Sequence, residues 1–234
     1  VAVFIATVVE IPGRAMFQII NPLVAKALNE NDTKELSKLY SKSSINLLIV
    51  AGLFFLLINI NIDPFYELMS NPSYGDAIWV VLMISLSKLI LMSFGCGPAI
   101  LATAKFYKIT LPFSILMAIS VYFLNDVLID IYSINGAALS TLLVVSIFTI
   151  VKIIYIKFKL NISPYSVHSL KVLLIICAIY LLFEFIAFSF SNILEILINT
   201  LLIAAIYSFL IYKSKSSEAI NSFINNLLKG KLRL

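Results

Sequence analysis

Three charged residues lie away from the ends of two largely apolar stretches, where a charge needs a partner, a ligand or water. Arg14 lies halfway along an apolar stretch at 1–27, with Glu10 one helical turn before it. Lys88 lies near the middle of another such stretch, 76–104, and has no acidic residue one turn away. A charge at the centre of a membrane-spanning helix costs at least about 2.5–3.5 kcal/mol. Such charges persist where they face a water-filled cavity, a ligand or a charged partner.

Two interpretations of these charges remain open. Glu10 could neutralise Arg14 in a purely structural pair, or the cations could bind an anionic substrate. A partner for the lysine would have to come from another helix. Gln18, Asn21 and Asn125 are polar residues in apolar stretches, which often hydrogen-bond neighbouring helices. The candidate substrate-binding residues are Glu10, Arg14, Gln18, Asn21 and Lys88.

The same two stretches contain residues that interrupt helices. Proline removes a backbone donor and kinks a helix. Transporters often place their binding sites on interrupted helices near the middle of the membrane. The predicted breaks are Pro12, Gly13 and Pro22 in the first stretch and Gly95, Gly97 and Pro98 in the other.

The sequence contains no pattern typical of an enzyme active site. We find no nucleophile elbow, no phosphate-binding loop and no metal-ligand cluster. Cys96 and Cys177 lie far apart in apolar stretches and have no Cys or His at metal-binding spacing, so we expect both to be small buried side chains. We therefore predict no catalytic residue, no metal and no cofactor.

Composition indicates the elements that must hold these residues. Of the 234 residues, 61% are hydrophobic and 12% are charged, and the mean hydropathy is +1.04. A soluble domain carries about 25% charged residues. The apolar runs are continuous and do not alternate, which favours membrane helices over a β-barrel. We predict an all-α, polytopic membrane helix bundle of about seven transmembrane helices, at 1–27, 44–62, 76–104, 109–130, 135–157, 169–190 and 192–212, with a turn at 71–75.

The distribution of charge predicts an orientation in the membrane. If seven helices alternate, all but two of the 17 Lys and Arg residues fall on one side. The loops on the other side have no basic residue and carry acids such as Asp63 and Glu67. This pattern places the C-terminus in the cytoplasm. The net charge of +5 then reflects contact with anionic membrane lipids, and no nucleic-acid partner is predicted.

Several motifs resemble a known transporter family, the polysaccharide-biosynthesis flippases of the multidrug/oligosaccharidyl-lipid/polysaccharide exporter superfamily. The more specific ones are Ile11-Pro12-Gly13-Arg14, followed by Asn21-Pro22, and Asn135-Gly136-Ala137-Ala138. Looser similarity extends along the whole chain, through Asp32-Thr33-Lys34-Glu35-Leu36 and Phe94-Gly95. The chain departs from the family pattern at Cys96-Gly97, where a polar Asn is expected.

The resemblance implies a fourteen-helix protein with two six-helix lobes and a terminal helix pair. In that scheme 1–157 supplies five helices of the C-terminal lobe, 158–212 the accessory pair and 213–234 a cytoplasmic tail, either amphipathic or disordered. Because Val1 already lies within an apolar stretch, we expect the chain to be part of a longer protein that includes the missing N-terminal lobe.

The resemblance also implies a function. The family members move an undecaprenyl-pyrophosphate-linked oligosaccharide across the bacterial cytoplasmic (inner) membrane for surface polysaccharides such as the O-antigen of lipopolysaccharide. Arg14 and Lys88 would neutralise the pyrophosphate, and Arg can bind it through two hydrogen bonds.

Other functions are compatible with parts of the sequence. A related exporter of drugs or small molecules would need an acid within the membrane, for which Glu10 is the candidate. A membrane-embedded enzyme of the same pathway would carry a large extracellular loop, whereas the predicted loops are short. A retinal protein would need a lysine in its last helix, and 192–212 contains none.

Overall fold

The computed structural model describes residues 1–69, 77–103, 106–185 and 191–228, and within these ranges it contains helices and no strands. The turn predicted at 71–75 and the basic residues Lys105, Lys229, Lys231 and Arg233 lie outside the described residues. The helices are α1 (Ala2–Thr7), α2 (Ile11–Asn29), α3 (Thr33–Ile60), α4 (Ile62–Leu68), α5 (Ile78–Ser93), α6 (Gly97–Ala102), α7 (Tyr107–Leu160), α8 (Val167–Glu184), α9 (Asn192–Ser214) and α10 (Glu218–Leu228).

Five helical stretches are long and apolar enough to cross a membrane. The first is Ala2–Asn29, in which α1 and α2 are joined by one 3₁₀ turn at Val8–Glu10. The others are α3, α7, α8 and α9, and α5 is a shorter apolar helix of 16 residues. The expected all-α bundle of membrane helices is therefore confirmed as a class. Five helices meet the length criterion in the described residues, where the sequence predicts seven.

Helix α7 is a hairpin and not one continuous rod. Ser133 has φ 54° and ψ −131°, which breaks the helix between an N-terminal arm, 107–132, and a C-terminal arm, 134–160. The rings of Phe113 and Tyr155 are 6.1 Å apart, although a straight helix would separate them by about 60 Å. The two arms therefore lie side by side and antiparallel. Each arm exceeds the about 20 residues that a membrane span requires.

Helix α3 lies at the centre of the bundle. The Asp32 side chain caps its first turn by accepting hydrogen bonds from the backbone N–H groups of Lys34 and Glu35. The helix therefore begins about three turns before the apolar stretch predicted at 44–62. Leu48 and Leu56 on α3 are fully buried.

The last two long helices pack directly on α3. Gly52 has no side chain where Ile176 of α8 and Tyr207 of α9 approach, and a Cβ there would meet the Tyr207 hydroxyl at 2.8 Å. That hydroxyl donates a hydrogen bond to the Ile49 carbonyl oxygen at 2.8 Å. The predicted accessory pair thus shares one hydrophobic core with the helices before it.

Lysine is concentrated at one end of the bundle. One buried cluster joins the end of α2, the start of α3, α6 and both ends of α7, through Leu28, Leu36, Ile100, Phe106 and Ile156. The start of α10 joins this end, because Lys42 pairs with Glu218 at 3.8 Å and Ser217 donates to Asn46 at 2.6 Å. Helix ends rich in lysine therefore meet here. The carboxylates of Asp63, Glu184 and Glu195 line one cavity elsewhere, where α4 meets α8 and α9.

Candidate functional site

The site is built where α1, the 3₁₀ turn and the start of α2 pack against α5. Gly13 presents no side chain at this crossing, and a Cβ added to it would lie 2.6 Å from the sulfur of Met92. The 3₁₀ turn at Val8–Glu10 precedes α2, and Pro12 occupies its first turn, where a missing N–H costs little. The close approach of the two helices brings Glu10 next to the side of α5 that carries Lys88.

Glu10 pairs with both cations at once. Its Oε1 accepts a hydrogen bond from Arg14 Nη2 at 3.2 Å, and its Oε2 accepts one from Lys88 Nζ at 2.9 Å. The acid that Lys88 lacks in its own helix is therefore supplied by the first membrane helix. The cluster contains two cations and one anion, so it carries a net charge of +1 when all three groups are ionised.

The two cations differ in exposure. The Lys88 side chain is 26% exposed and that of Glu10 is 20% exposed, so their ion pair is largely enclosed by protein. The Arg14 side chain is 72% exposed. A guanidinium has five N–H donors in a planar fork, and the contact with Glu10 uses a single nitrogen. Arg14 can therefore offer its remaining N–H donors to an anionic ligand without any movement of the helix backbone.

A polar stripe runs along one face of the first membrane helix. Glu10, Arg14, Gln18 and Asn21 are spaced by four, four and three residues, which places them on one side of a helix. Arg14, Gln18 and Asn21 are exposed. Residues such as Gly13, Ile20 and Val24 are buried against the bundle. The sequence analysis identified each of these polar residues separately but not their common face, although their spacing contains that signal.

The chain leaves the helix at Gly95, in the second of the two interrupted stretches. Gly95 has φ +59°, a conformation that glycine adopts without strain, and a Cβ there would lie 2.6 Å from the backbone nitrogen of Ser44. Helix α6 then begins at Gly97, with Pro98 in its first turn. Pro22, in contrast, lies inside α2, which continues to Asn29.

Two serines of α3 hold this break. Ser43 Oγ accepts a hydrogen bond from the Cys96 backbone N–H at 2.9 Å, and Ser44 Oγ donates one to the Ser93 carbonyl oxygen at 2.6 Å. Polar groups freed by the interruption are thus satisfied by a neighbouring helix, as membrane proteins require. The Asn expected at Cys96 is not needed for these contacts. Ser43 and Ser44 were missed in the sequence analysis, because their role depends on which helix packs against the break.

An apolar cavity adjoins the charge cluster. It has a volume of about 560 Å³ and lies between α1, α5 and the C-terminal arm of α7. Its walls are mostly small or aliphatic residues, among them Val3, Ile84, Ala137 and Ala138, with Lys88 among the lining residues. The structure therefore places a large apolar space directly beside one of the two cations.

The remaining candidate residues fall outside this site. Asn125 Oδ1 accepts a hydrogen bond from the Ser140 hydroxyl between the two arms of α7, which confirms the expected role of Asn125 in joining helices. Cys96 is buried as expected, whereas Cys177 is exposed on the outer face of α8, so the expectation that both are buried was wrong for Cys177.

Comparison with known proteins adds no assignment to this geometry. Within the described residues, no group of three or more His, Cys, Asp or Glu side chains is placed to hold a metal ion. The comparisons with protein families, with curated proteins and with solved structures give no match to this chain.

Proposed function

We propose that this chain forms one lobe of a flippase that moves an undecaprenyl-pyrophosphate-linked oligosaccharide across the bacterial cytoplasmic membrane. Arg14 and Lys88 bind the pyrophosphate in this proposal. The observation that carries it is the net positive cluster in which Glu10 and Arg14, on a helix long enough to cross the membrane, meet Lys88 of the apolar helix α5. The sequence resemblance described above supplies the substrate class.

The exposure of Arg14 supports a binding role over a purely structural one. A structural ion pair within a membrane is expected to be enclosed on all sides, as the pair of Glu10 and Lys88 nearly is. Arg14 is mostly exposed, and Gln18 and Asn21 extend the polar surface along the same face. A surface of this kind does not face lipid at acceptable cost. We propose that it lines a central aqueous cavity, closed on its far side by the first lobe of the same protein.

Glu10 acts as a substitute anion in this mechanism. When no substrate is present, its carboxylate occupies both cations and lowers the cost of keeping them in the membrane. A pyrophosphate carries more charge and more acceptor oxygens than a carboxylate, and it displaces Glu10 from the Arg14 guanidinium. Bidentate hydrogen bonds to Arg are typical of phosphate recognition. The apolar cavity beside Lys88 accommodates the first part of the prenyl chain.

The distribution of lysines suggests how the helices are arranged in the membrane. We propose seven spans, in which the two arms of α7 cross separately and α5 crosses together with α6. The end of the bundle where the lysine-rich helix ends meet faces the cytoplasm, together with the C-terminus. Lysines at that end also contact anionic lipid headgroups.

Replacement of Arg14 tests the proposal. In the full-length protein, Arg14→Ala should reduce export of surface polysaccharide at least about tenfold, because a charge-assisted contact to the substrate is lost. Arg14→Lys should retain part of the export, since it keeps the charge and loses the planar fork. The measurements are surface polysaccharide by immunoblot and transporter abundance in isolated membranes.

Lys26→Ala is the matched control, because Lys26 is a similarly exposed cation at the end of the same helix. Export and abundance should both be normal in this variant. Normal export in Arg14→Ala would remove Arg14 from the substrate site. Loss of the Arg14→Ala protein from the membrane would instead support a structural ion pair.

A further inference from the structure

Another cavity, with a polar lining, lies away from the charge cluster, where α3 and α4 meet the end of α8 and the start of α9. Its volume is about 220 Å³. Three carboxylates from three different helices line it, those of Asp63, Glu184 and Glu195. None of the described residues that line the cavity is a Lys, an Arg or a His. The cavity therefore collects negative charge without a protein cation to balance it.

The environment of Asp63 reflects this imbalance. Asp63 lies in α4, outside the membrane-spanning helices, and its carboxyl is partly desolvated by the surrounding protein. Burial raises the pKa of the Asp63 carboxyl above its ordinary value, and the negative charges of Glu184 and Glu67 raise it further. A positive charge placed in the cavity would reverse this effect. The electrostatic field of the lining thus favours a cation.

Asn199 provides a separate indication of a ligand. This residue is only 4% exposed and lies one helical turn after Glu195, so that it lines the same cavity. Its side-chain oxygen Oδ1 is buried and has no hydrogen-bond partner. A buried acceptor without a donor is unfavourable, and such atoms in folded proteins usually have a partner. The missing group at Asn199 is a hydrogen-bond donor.

The neighbouring amide shows the contrast. Asn59 also lines the cavity, but its Nδ2 donates to the Phe55 carbonyl oxygen at 2.8 Å and to the Ser85 hydroxyl at 2.9 Å. Its Oδ1 accepts a hydrogen bond from the same hydroxyl. The Asn59 amide therefore has hydrogen-bond partners within the protein. Of the two amides that line the cavity, only Asn199 has a side-chain oxygen without a donor.

We propose that this cavity binds a primary ammonium group, which donates a hydrogen bond to Asn199 Oδ1 and is balanced by the carboxylates of Asp63 and Glu184. The ammonium supplies both missing properties in one group, a positive charge and N–H donors. A quaternary ammonium has the charge and no N–H donor. The Tyr180 ring, which also lines the cavity, offers a face that attracts cations.

A directly coordinated metal ion fits the cavity less well. No three His, Cys, Asp or Glu side chains among the described residues are placed to hold one. The volume of about 220 Å³ also exceeds what a bare ion fills, and Ile60, Pro64 and Phe183 give part of the wall an apolar surface. That surface suits the methylene groups attached to a primary amine.

Thermal unfolding of the full-length protein in detergent micelles tests the proposal. Ethylammonium chloride should raise the unfolding midpoint in a saturable way, whereas tetramethylammonium chloride at the same ionic strength should leave it unchanged, because that cation has no hydrogen-bond donor. Glu184→Gln and Asn199→Leu should each weaken the apparent affinity for ethylammonium at least about tenfold. Asn199→Leu removes an unsatisfied buried polar atom, so this variant is expected to fold.

Glu30→Gln is the matched control, because it removes an acid from the opposite, lysine-rich end of the bundle. Its response to ethylammonium should equal that of the native protein. The proposal is overturned by the absence of a shift, by an equal shift with tetramethylammonium, or by a shift that both cavity variants retain. A shift with calcium or magnesium chloride and none with ethylammonium would also overturn it, in favour of a metal site.

The same amine chemistry has two possible sources, a lipid headgroup and a free amine outside the membrane. Reconstitution into vesicles of phosphatidylethanolamine or of phosphatidylcholine distinguishes them. If the lipid headgroup is the ligand, phosphatidylethanolamine vesicles give the higher midpoint and added ethylammonium raises it no further. If a free amine is the ligand, the two vesicles give equal midpoints and ethylammonium raises both.

Discussion

Glu10 accepts hydrogen bonds from cations on two helices, and the response of each cation to a ligand depends on this shared partner. Arg14 is exposed and bonded through a single nitrogen, so it can exchange its partner at low cost. Lys88 is mostly enclosed and more closely bonded, at 2.9 Å, so it is held in place. The two charges thus have different roles, one accessible and one fixed.

At this scale we expect Glu10→Gln to lower stability and to preserve export. The amide keeps the size of the side chain but leaves the enclosed Lys88 without an acid, which should cost about 1–3 kcal/mol, less than the loss of a fully buried pair. Both cations remain, so pyrophosphate binding should persist. The measurements are the unfolding midpoint in micelles and surface polysaccharide in cells.

Glu35→Gln is the control, since Glu35 pairs with Lys38 at 3.7 Å on the surface, where such pairs contribute at most about 1 kcal/mol. Loss of export in Glu10→Gln with normal protein abundance would contradict the role of Glu10 as a substitute anion. That result would favour a cation-coupled exporter that depends on a membrane acid.

The sequence could predict that Glu10, Arg14 and Lys88 belong to a functional site, because a charge within an apolar stretch is visible there. The partnership of Glu10 with Lys88 could not be predicted. The two residues are 78 positions apart, and their contact depends on the close crossing that Gly13 permits. A single sequence contains no signal for which helices cross.

Among the elements, the hairpin of α7 depends on a tight turn between its arms. Gly136 lies so close to the Leu128 carbonyl oxygen that a Cβ would overlap it, and Asn125 bonds to Ser140 across the two arms. The motif Asn135-Gly136-Ala137-Ala138 therefore has a packing reason, the contact between antiparallel arms. Its position next to the turn explains why small residues follow one another there.

We expect Gly136→Ala to destabilise the bundle by about 1–3 kcal/mol, because the arms must separate to admit the methyl group. Ala118→Val adds carbon atoms at an exposed position of the same helix and should change stability by at most about 0.5 kcal/mol. Chemical unfolding in mixed micelles measures both variants. Equal effects of the two substitutions would show that the arms tolerate a wider spacing.

The sequence predicted two helices at 109–130 and 135–157, and the arms of α7 contain both stretches. Hydropathy could indicate them because each arm is apolar for the length of a span. The break between α5 and α6 was also visible, as glycine and proline. Its stabilisation by Ser43 and Ser44 was not, since serines at helix starts and within helices are common and only packing shows which of them serve a break.

For the whole molecule, the separation of acidic and basic ends is the feature that relates structure to membrane orientation. The orientation can be measured with a membrane-impermeant maleimide in intact bacteria. Asp130→Cys should be labelled in intact cells, and Lys38→Cys only after lysis, because the proposed seven spans place the two positions on opposite sides of the membrane. The native protein gives the background, because Cys96 is buried and Cys177 lies in the apolar helix α8.

A chain in which α5 does not cross the membrane would place Lys38 and Asp130 on the same side. Equal labelling of both variants in intact cells, or in lysed cells alone, would therefore reject seven spans. Labelling of Lys38→Cys in intact cells, with Asp130→Cys protected until lysis, would keep the number of spans and reverse the orientation.

The overall class of the fold follows from composition and continuous apolar runs, and the distribution of basic residues predicts an orientation. The cavity that Asn199 lines could not be predicted. Asp63 was visible only as an acid of a predicted loop, and Glu184 and Glu195 are more than 100 residues away from it in the sequence. Only the packing of α8 and α9 against α3 and α4 brings them together.

The contact between Glu10 and Lys88 also constrains how the chain assembles as it leaves the ribosome. Glu10 and Arg14 belong to one helix and can pair as soon as that helix forms. Lys88 is synthesised much later and reaches its acid only when α5 docks beside the first helix. A nascent chain that ends after α3 contains an incomplete charge cluster, and one that ends after α5 contains the whole cluster. The charge cluster is therefore complete only once α5 has docked, and the first helix must be within reach of α5 at that time.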